Sequence, residues 1–268
     1  MKFSTKNEAL TSFYDEASAS FNTQIMKKIA LITGANRGLG LEAARQLAAQ
    51  NFTVILGSRD LAKGEEAAAR LRETGADAHA VQLEVTDEAS VKAAARDIEA
   101  KFGHLDALIN NAGVYSEYAN THFSPSQLSS EELRQTYETN FFGALSVLQT
   151  FLPLLQKSEA PRVVNVSSSL GSLELQSNPD SPYYGLNTLA YGSSKAALNS
   201  LTIAFAKEFK DTNLKINSAC PGWVKTDLGS DAAPRELEEG PRIFVTLATL
   251  PNDGPSGQFF DENGLINW

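Results

Sequence analysis

Ile29-Ala30-Leu31-Ile32-Thr33-Gly34-Ala35-Asn36-Arg37-Gly38-Leu39-Gly40 decides how the rest of the chain is read. An apolar run gives way to three glycines and resumes as Leu41-Glu42-Ala43-Ala44-Arg45-Gln46-Leu47, with apolar positions at helical period. The pattern predicts a strand, a tight turn and the start of a helix. Glycine suits such a turn because it adopts positive φ and has no β-carbon to hold a ligand off the backbone. The N–H groups that open the helix face whatever sits on the turn, and a phosphate is their natural guest. The spacing is Gly-x-x-x-Gly-x-Gly, not the commoner Gly-x-Gly-x-x-Gly, and taken alone it fits a structural loop as well as a phosphate cradle.

Downstream of this turn, strands and helices alternate. Residues 53–58 form a β-branched run, and Asp60 is placed to cap a helix over 61–74. Further strands are expected at 78–84, 107–110, 162–167, 215–219 and 258–260. Helices are expected at about 86–102, 130–155, 189–209 and 237–250. Most of the strands are apolar on both faces, the mark of a parallel sheet covered on both sides by helices. Ligands of such sheets bind beyond the carboxyl ends of the strands. The glycine turn, Arg59, Glu84, Asn111, Ser168 and Pro221 all fall at such ends.

The chain has 268 residues and 42% hydrophobic content, enough for one large α/β domain. That domain is expected over 26–268, with the polar residues 1–25 as a flexible extension lacking the apolar centre of a secretory signal. A net charge of −9 and the lack of a basic stretch argue against nucleic acid as partner. No apolar run is long enough to span a bilayer. One cysteine, Cys220, rules out an internal disulfide and fits a reducing, cytoplasmic compartment; its thiol is expected to be buried and inert. His79, His104 and His122 are scattered, so no metal site is expected.

Tyr191 and Lys195 are four apart on an expected helix and so share a face. A free tyrosine titrates near pH 10, and a neighbouring ammonium lowers that value, so the pair makes sense as a proton donor and its tuner. It also fits a surface pair. Ser168, at a strand end, can bind a carbonyl oxygen, or be one of three ordinary strand-end serines with Ser167 and Ser169. Asn140 is a poor helix former inside the 130–155 helix. Either it sits on the exposed side or it marks a local opening that binds an ordered water.

Thr33-Gly34-x-x-x-Gly38-x-Gly40, Asn110-Asn111-Ala112-Gly113, Asn140, Ser168, Tyr191-x-x-x-Lys195 and Pro221-Gly222 together resemble, in order and approximate spacing, the motifs of the short-chain dehydrogenases/reductases. The likeness covers residues 27–268. Pro221-Gly222-Trp223-Val224-Lys225-Thr226-Asp227 and the ending Gly257-Gln258-Phe259-Phe260 are similar to the carbonyl-reductase-type and plant menthol-type members. The resemblance implies a single Rossmann domain, a doubly wound parallel sheet in the order 3-2-1-4-5-6-7, and a nicotinamide cofactor. It implies a catalytic tetrad of Asn140, Ser168, Tyr191 and Lys195. In that tetrad Ser168 orients the carbonyl and Tyr191 delivers the proton. Lys195 lowers the phenol's pKa and holds the nicotinamide ribose, while Asn140 keeps a relay water. It implies a cofactor site drawn from Gly34, Asn36, Arg37, Gly38, Leu39, Gly40, Ser58, Arg59, Glu84, Val85, Asn111, Gly113, Tyr191, Lys195, Pro221, Gly222, Val224 and Thr226. Glu84 stands where the family usually has aspartate or asparagine against the adenine.

Charge selects the form of the cofactor. An NAD site places an acid at the end of the second strand, whereas Ser58 and Arg59 stand here, with Arg37 in the glycine turn. Guanidinium groups suit a 2′-phosphate, so NADP(H) is expected. Asp60 can blunt this by pairing with Arg59 or leave it intact by capping the helix. Leu173, Leu175, Tyr183, Tyr184 and Leu186, with Tyr115 and Trp223, suggest an apolar wall for a hydrophobic ketone or aldehyde; simple loop packing explains them equally. The leading function is an NADPH-dependent carbonyl reductase. An NAD-type alcohol dehydrogenase and a non-catalytic NADP(H)-sensing or scaffold protein are the alternatives. A monomer is favoured over a homo-oligomer, because carbonyl-reductase-type members are often monomeric.

Overall fold

The computed structural model describes residues 27–119 and 124–268; the extension expected at 1–25 lies outside them. Strands β1 (Ile29–Thr33), β2 (Thr53–Ser58), β3 (Ala78–Gln82), β4 (Ala107–Asn110), β5 (Arg162–Val166), β6 (Lys215–Ala219), β7 (Phe259–Asp261) and β8 (Gly264–Leu265) make one sheet. Their order is β3-β2-β1-β4-β5-β6-β7-β8. The first seven pair in parallel, as expected, and β8 folds back antiparallel on β7.

Strand periodicity of two sends alternate residues to opposite layers. Ala30, Ile32, Val54, Leu56 and Ile109 pack with helices α1 (Gly38–Ala49), α2 (Leu61–Glu73) and, near the C-terminus, Arg242–Ala248. Their neighbours Ile29, Leu31, Ile55, Leu108 and Ile216 pack on the other face with α3 (Glu88–Phe102) and two later helices, Ala144–Leu155 and Leu189–Glu208. Both faces of the central strands are therefore dry, which is why they read as continuous apolar runs. Asp60 caps α2, accepting from the Lys63 N–H at 3.2 Å, and Asp87 caps α3 in the same way.

Three segments depart from the sequence expectation. The helix expected over 130–155 is three pieces: α5 (Ser130–Tyr137, preceded by the short α4, Ser116–Ala119), a π-helical turn at Glu138–Gly143, and α6 (Ala144–Leu155). Residues 169–177, expected as loop, hold a 3₁₀ turn and the short α7 (Leu173–Ser177) ahead of α8 (Leu189–Glu208). The helix expected over 237–250 is only α9 (Arg242–Ala248). Pro241 precedes it as N-cap; with its fixed φ and no N–H, proline opens a helix readily and disrupts one from inside.

Candidate active site

The glycine turn leaves β1 with Gly34 and Gly38 at φ of 64° and 56°, conformations that side chains resist. Arg37, at the N-cap of α1, makes no side-chain cap bond, and the first turn of α1 carries no acidic residue. Neither the N-cap side chain nor the first turn thus supplies an anion to its leading N–H groups and positive dipole end, which fits a pyrophosphate. Gly40 serves a different need. A β-carbon there would lie 2.6 Å from Asn111 Nδ2 and 2.8 Å from the Gly34 carbonyl, so its bare face lets helix and strand end close together. Asn111 braces the turn, donating from Nδ2 to the carbonyls of Thr33 at 2.8 Å and Gly34 at 3.3 Å. Thr33 Oγ1 accepts from the N–H groups of Asn111 and Ala112.

From this brace the chain runs to the tetrad. A β-carbon on Gly113 would meet Asn140 Oδ1 at 3.3 Å and Lys195 Nζ at 3.4 Å. Asn140 is 1% exposed and sits in the π turn, so it is not an idle surface residue. Its Oδ1 accepts from the Val114 N–H at 2.8 Å, and its Nδ2 donates to the Val114 carbonyl at 2.9 Å and to Ser194 Oγ at 3.0 Å. Tyr191 and Lys195 are both buried, not a surface pair. Lys195 Nζ donates to the Val166 carbonyl at 2.7 Å and lies 5.6 Å from the Tyr191 ring centroid.

The three serines separate by surroundings. Ser167 is buried, with its hydroxyl directed to the Lys195 carbonyl at 3.5 Å. Ser169 is buried against the Cys220 thiol, whose Sγ also accepts from the Gly222 N–H. Of the three, only Ser168 acts on the Tyr191 phenol, favouring its ionised form. Burial pushes that phenol above the ordinary tyrosine value; Cys220, Tyr115 and Glu117 act in the same sense, and Ser168 opposes them. The pair does not bring the phenol below its ordinary value, contrary to the expectation from spacing, and the ammonium is itself pushed down to about 8 by burial. Depth in the fold outweighs the attraction of the pair.

The profile described as "short chain dehydrogenase" matches residues 28–237. The chain belongs to the short-chain dehydrogenase family. Members of this family of oxidoreductases bind a nicotinamide cofactor. Among its curated relatives, (+)-neomenthol dehydrogenase of Capsicum annuum is 35% identical, covering 87% of this chain and 95% of that protein. (-)-Isopiperitenone reductase of Mentha piperita is 34% identical over 90% and 98%. Among solved structures, NADPH-bound carbonyl reductase from chicken fatty liver superposes with a TM-score of 0.78 at 28% identity, covering 90% of this chain and 99% of that one. Salutaridine reductase from Papaver somniferum gives 0.75 at 30%, covering 88% and 100%.

Around the cradle, this short-chain dehydrogenase arranges some residues otherwise than the sequence implied. Ser58 is 1% exposed and donates to the Asp60 carbonyl at 2.7 Å, so its hydroxyl faces inward. Asp60 is held by its capping bond and lies 3.8 Å from Lys63, not on Arg59. Arg59 is exposed and makes no ion pair among the described residues, whereas Arg37 pairs with Asp227 at 2.5 Å. The Glu84 carboxylate turns back to the Thr86 N–H and hydroxyl, and buried Val85 packs on Gly143 of the π turn. Thr226 approaches Gly38 from across the groove, its Cγ2 4.0 Å from where a β-carbon would stand, and Val224 is buried beside Gly240. Asn36 and Leu39 are half-buried in the turn, and Pro221 is buried where Gly222 takes φ of 77°. Two residues escaped the sequence reading: Thr33 as brace and Glu117 beneath the start of α8. A hydroxyl ending a strand and an acid in a polar loop carry no periodic signal. Among the described residues no helix is long and apolar enough to cross a membrane, and no cluster of metal-ligating side chains occurs.

Proposed function

We propose that the chain is an NADPH-dependent carbonyl reductase that converts a small hydrophobic ketone or aldehyde to its alcohol, in a reversible reaction. The observation that carries this reading is the gathering of Asn140 Oδ1 and Lys195 Nζ at Gly113, with the buried Tyr191 ring 5.6 Å from that ammonium, at the end of the segment that braces the glycine turn. Bound NADPH supplies the hydride. Ser168 Oγ and the Tyr191 phenol converge on the carbonyl oxygen; the phenol gives up its proton as the oxygen gains charge. The Lys195 ammonium, fixed by the Val166 carbonyl, stabilises the phenolate so formed and takes the ribose hydroxyls. Asn140, in its widened turn, keeps the water through which the proton is restored.

Exposed Arg59, with Arg37 released from Asp227, is assigned to the 2′-phosphate. The exposed apolar side chains Leu173, Tyr184, Leu186 and Trp223 are not packed away as loop filling, and Tyr115 stacks on the Tyr191 ring at 4.2 Å between centroids. Both facts support a hydrophobic substrate, as do the names of the menthol-type relatives. The same reading takes residues 26–268 as the catalytic unit of a cytoplasmic monomer, with sedimentation at one chain mass as the expected result.

The deciding experiment is NADPH oxidation against a panel of ketones, quinones and aldehydes, menthone among them. Turnover that vanishes in Tyr191→Phe with NADPH binding intact is the expected result; binding without turnover on any of them favours the sensor. Arg59→Ala should raise KM for NADPH by roughly tenfold and leave KM for NADH little changed, the loss of one charge-assisted contact. Equal effects on both cofactors count against the 2′-phosphate assignment.

A further inference from the structure

We propose that Glu117 positions Tyr191, acting from a separate element as the cap of the helix that carries the proton donor. The proposal rests on the role given to Tyr191 above. Helix α8 has no cap of its own. Thr188 stands at its N-cap position but makes no side-chain cap bond, and its buried Oγ1 has no hydrogen-bond partner. The first turn of α8 carries no acid. Glu117, on α4, fills the need: its Oε1 accepts from the Ala190 N–H at 2.5 Å and its Oε2 from the Tyr191 N–H at 2.9 Å. The carboxylate thus grips the backbone of Tyr191 itself.

This acid is 2% exposed and makes no ion pair with Lys or Arg among the described residues. A buried carboxylate is costly without strong compensation, and here two backbone donors and the positive end of a 20-residue helix supply it. A threonine hydroxyl at the cap would satisfy one donor without that cost. What the carboxylate adds is a negative charge held at the Tyr191 backbone, which opposes ionisation of its phenol. The segment that bears it also presents Tyr115, whose ring stacks on Tyr191 at an interplanar angle of 20°. Backbone and ring of the proton donor are therefore held by residues two apart on one short segment.

The groups facing the phenol are Ser168 from the end of β5, Cys220 from the end of β6, Tyr115 and Glu117 from the segment after β4, and Lys195 from its own helix. Among them Glu117 opposes loss of the proton. Neutralising it should make that loss easier, so the pH above which reduction fails should fall.

The test compares the full-length chain with Glu117→Gln and Glu117→Asp. Without substrate, amide hydrogen exchange at Ala190 and Tyr191 should accelerate roughly tenfold in Glu117→Gln, about the worth of one charged hydrogen bond, while the centre of α8 exchanges as before. In NADPH oxidation with menthone, or with the best carbonyl of the panel, kcat should fall more than KM for NADPH changes. The alkaline limb of its pH profile should move down. Glu117→Asp, which keeps the charge on a shorter arm, should lose rate yet keep the limb. It also serves if the glutamine variant does not fold. Wild-type exchange at the two amides overturns the proposal, and so does a fall in rate with an unmoved limb in Glu117→Gln. Full turnover by Tyr191→Phe would instead overturn the role of Tyr191, and exchange at the two amides would still decide for or against Glu117.

Discussion

Lys195 occupies a place that an ammonium does not favour. It is 4% exposed, donates to one carbonyl, and burial brings its pKa to about 8 from the ordinary 10.5. Between those values the unfolded chain binds the proton and the folded chain does not, so stability rises with pH across that window. Below about pH 8 the cost is present in full, at most about 3 kcal/mol by the usual conversion. Lys195→Met, similar in length and uncharged, should therefore stabilise the fold at pH 7 by about 1–3 kcal/mol, with the gain shrinking towards pH 10. Urea unfolding of both proteins at pH 7 and pH 9.5 measures this, and a methionine variant weaker at pH 7 would show that the bond to Val166 outweighs desolvation. The four-residue spacing of Tyr191 and Lys195 made their shared face legible in the sequence. Their depth was not, because burial is decided by Tyr115, Glu117 and the ends of β5 and β6, all distant in the chain. The direction of the phenol's shift was misread for that reason.

At the scale of elements, the turn around Asn140 shows what periodicity can and cannot report. The apolar pattern of 130–155 continues through residues 138–143, so one long helix was the natural expectation. A π turn inserts one residue and rotates the face by about a quarter turn, a change too small to break the pattern. Its cause is tertiary. Asn140 is drawn in to bond both backbone groups of Val114, and through Ser194 Oγ, which donates to the Tyr191 carbonyl at 2.7 Å, it ties that loop to α8. Asn140→Ala should cost about 1–3 kcal/mol, since Val114 loses both partners. For a domain of this size that is a fall in Tm of roughly 2–4 °C per kcal/mol, read by calorimetry. The loss in turnover should exceed anything the stability change explains, because the loop that places Glu117 is released as well. The partners of Ser58 and Arg37 were illegible in the same way: Ser58 was expected in the cofactor site and Arg37 at a 2′-phosphate, but their bonds to the Asp60 carbonyl and to Asp227 come from the folded loops.

At the scale of the whole molecule, the parallel sheet separates chemistry from support. Alternating strands and helices, and strands apolar on both faces, made the architecture legible, and the resemblance to the short-chain dehydrogenases/reductases implied the strand order. The β7–β8 hairpin was not, since a two-residue strand leaves no pattern. The candidate site residues lie at or beyond the carboxyl ends of the strands, while the opposite end carries Arg162, the first residue of β5 and 2% exposed. Its guanidinium donates to the carbonyls of Leu250 at 2.8 Å, Asn213 at 2.9 Å and Pro161 at 2.8 Å, and to Asn252 Oδ1 at 2.8 Å. It thereby joins the loops that lead into β5, β6 and β7. Burial lowers its pKa, yet it stays charged at any working pH, and four oxygens stand in for a carboxylate. Arg162→Met fills much of the space but strands those oxygens, and should destabilise the chain by about 3 kcal/mol. Arg162→Lys, with three donors on a shorter reach, should recover only part of this. Because the residue lies a full strand length from the cradle, both variants should keep the wild-type KM for NADPH at 20 °C while unfolding at lower urea. A rise in KM matching the loss of stability would mean that the two ends of the sheet are not independent.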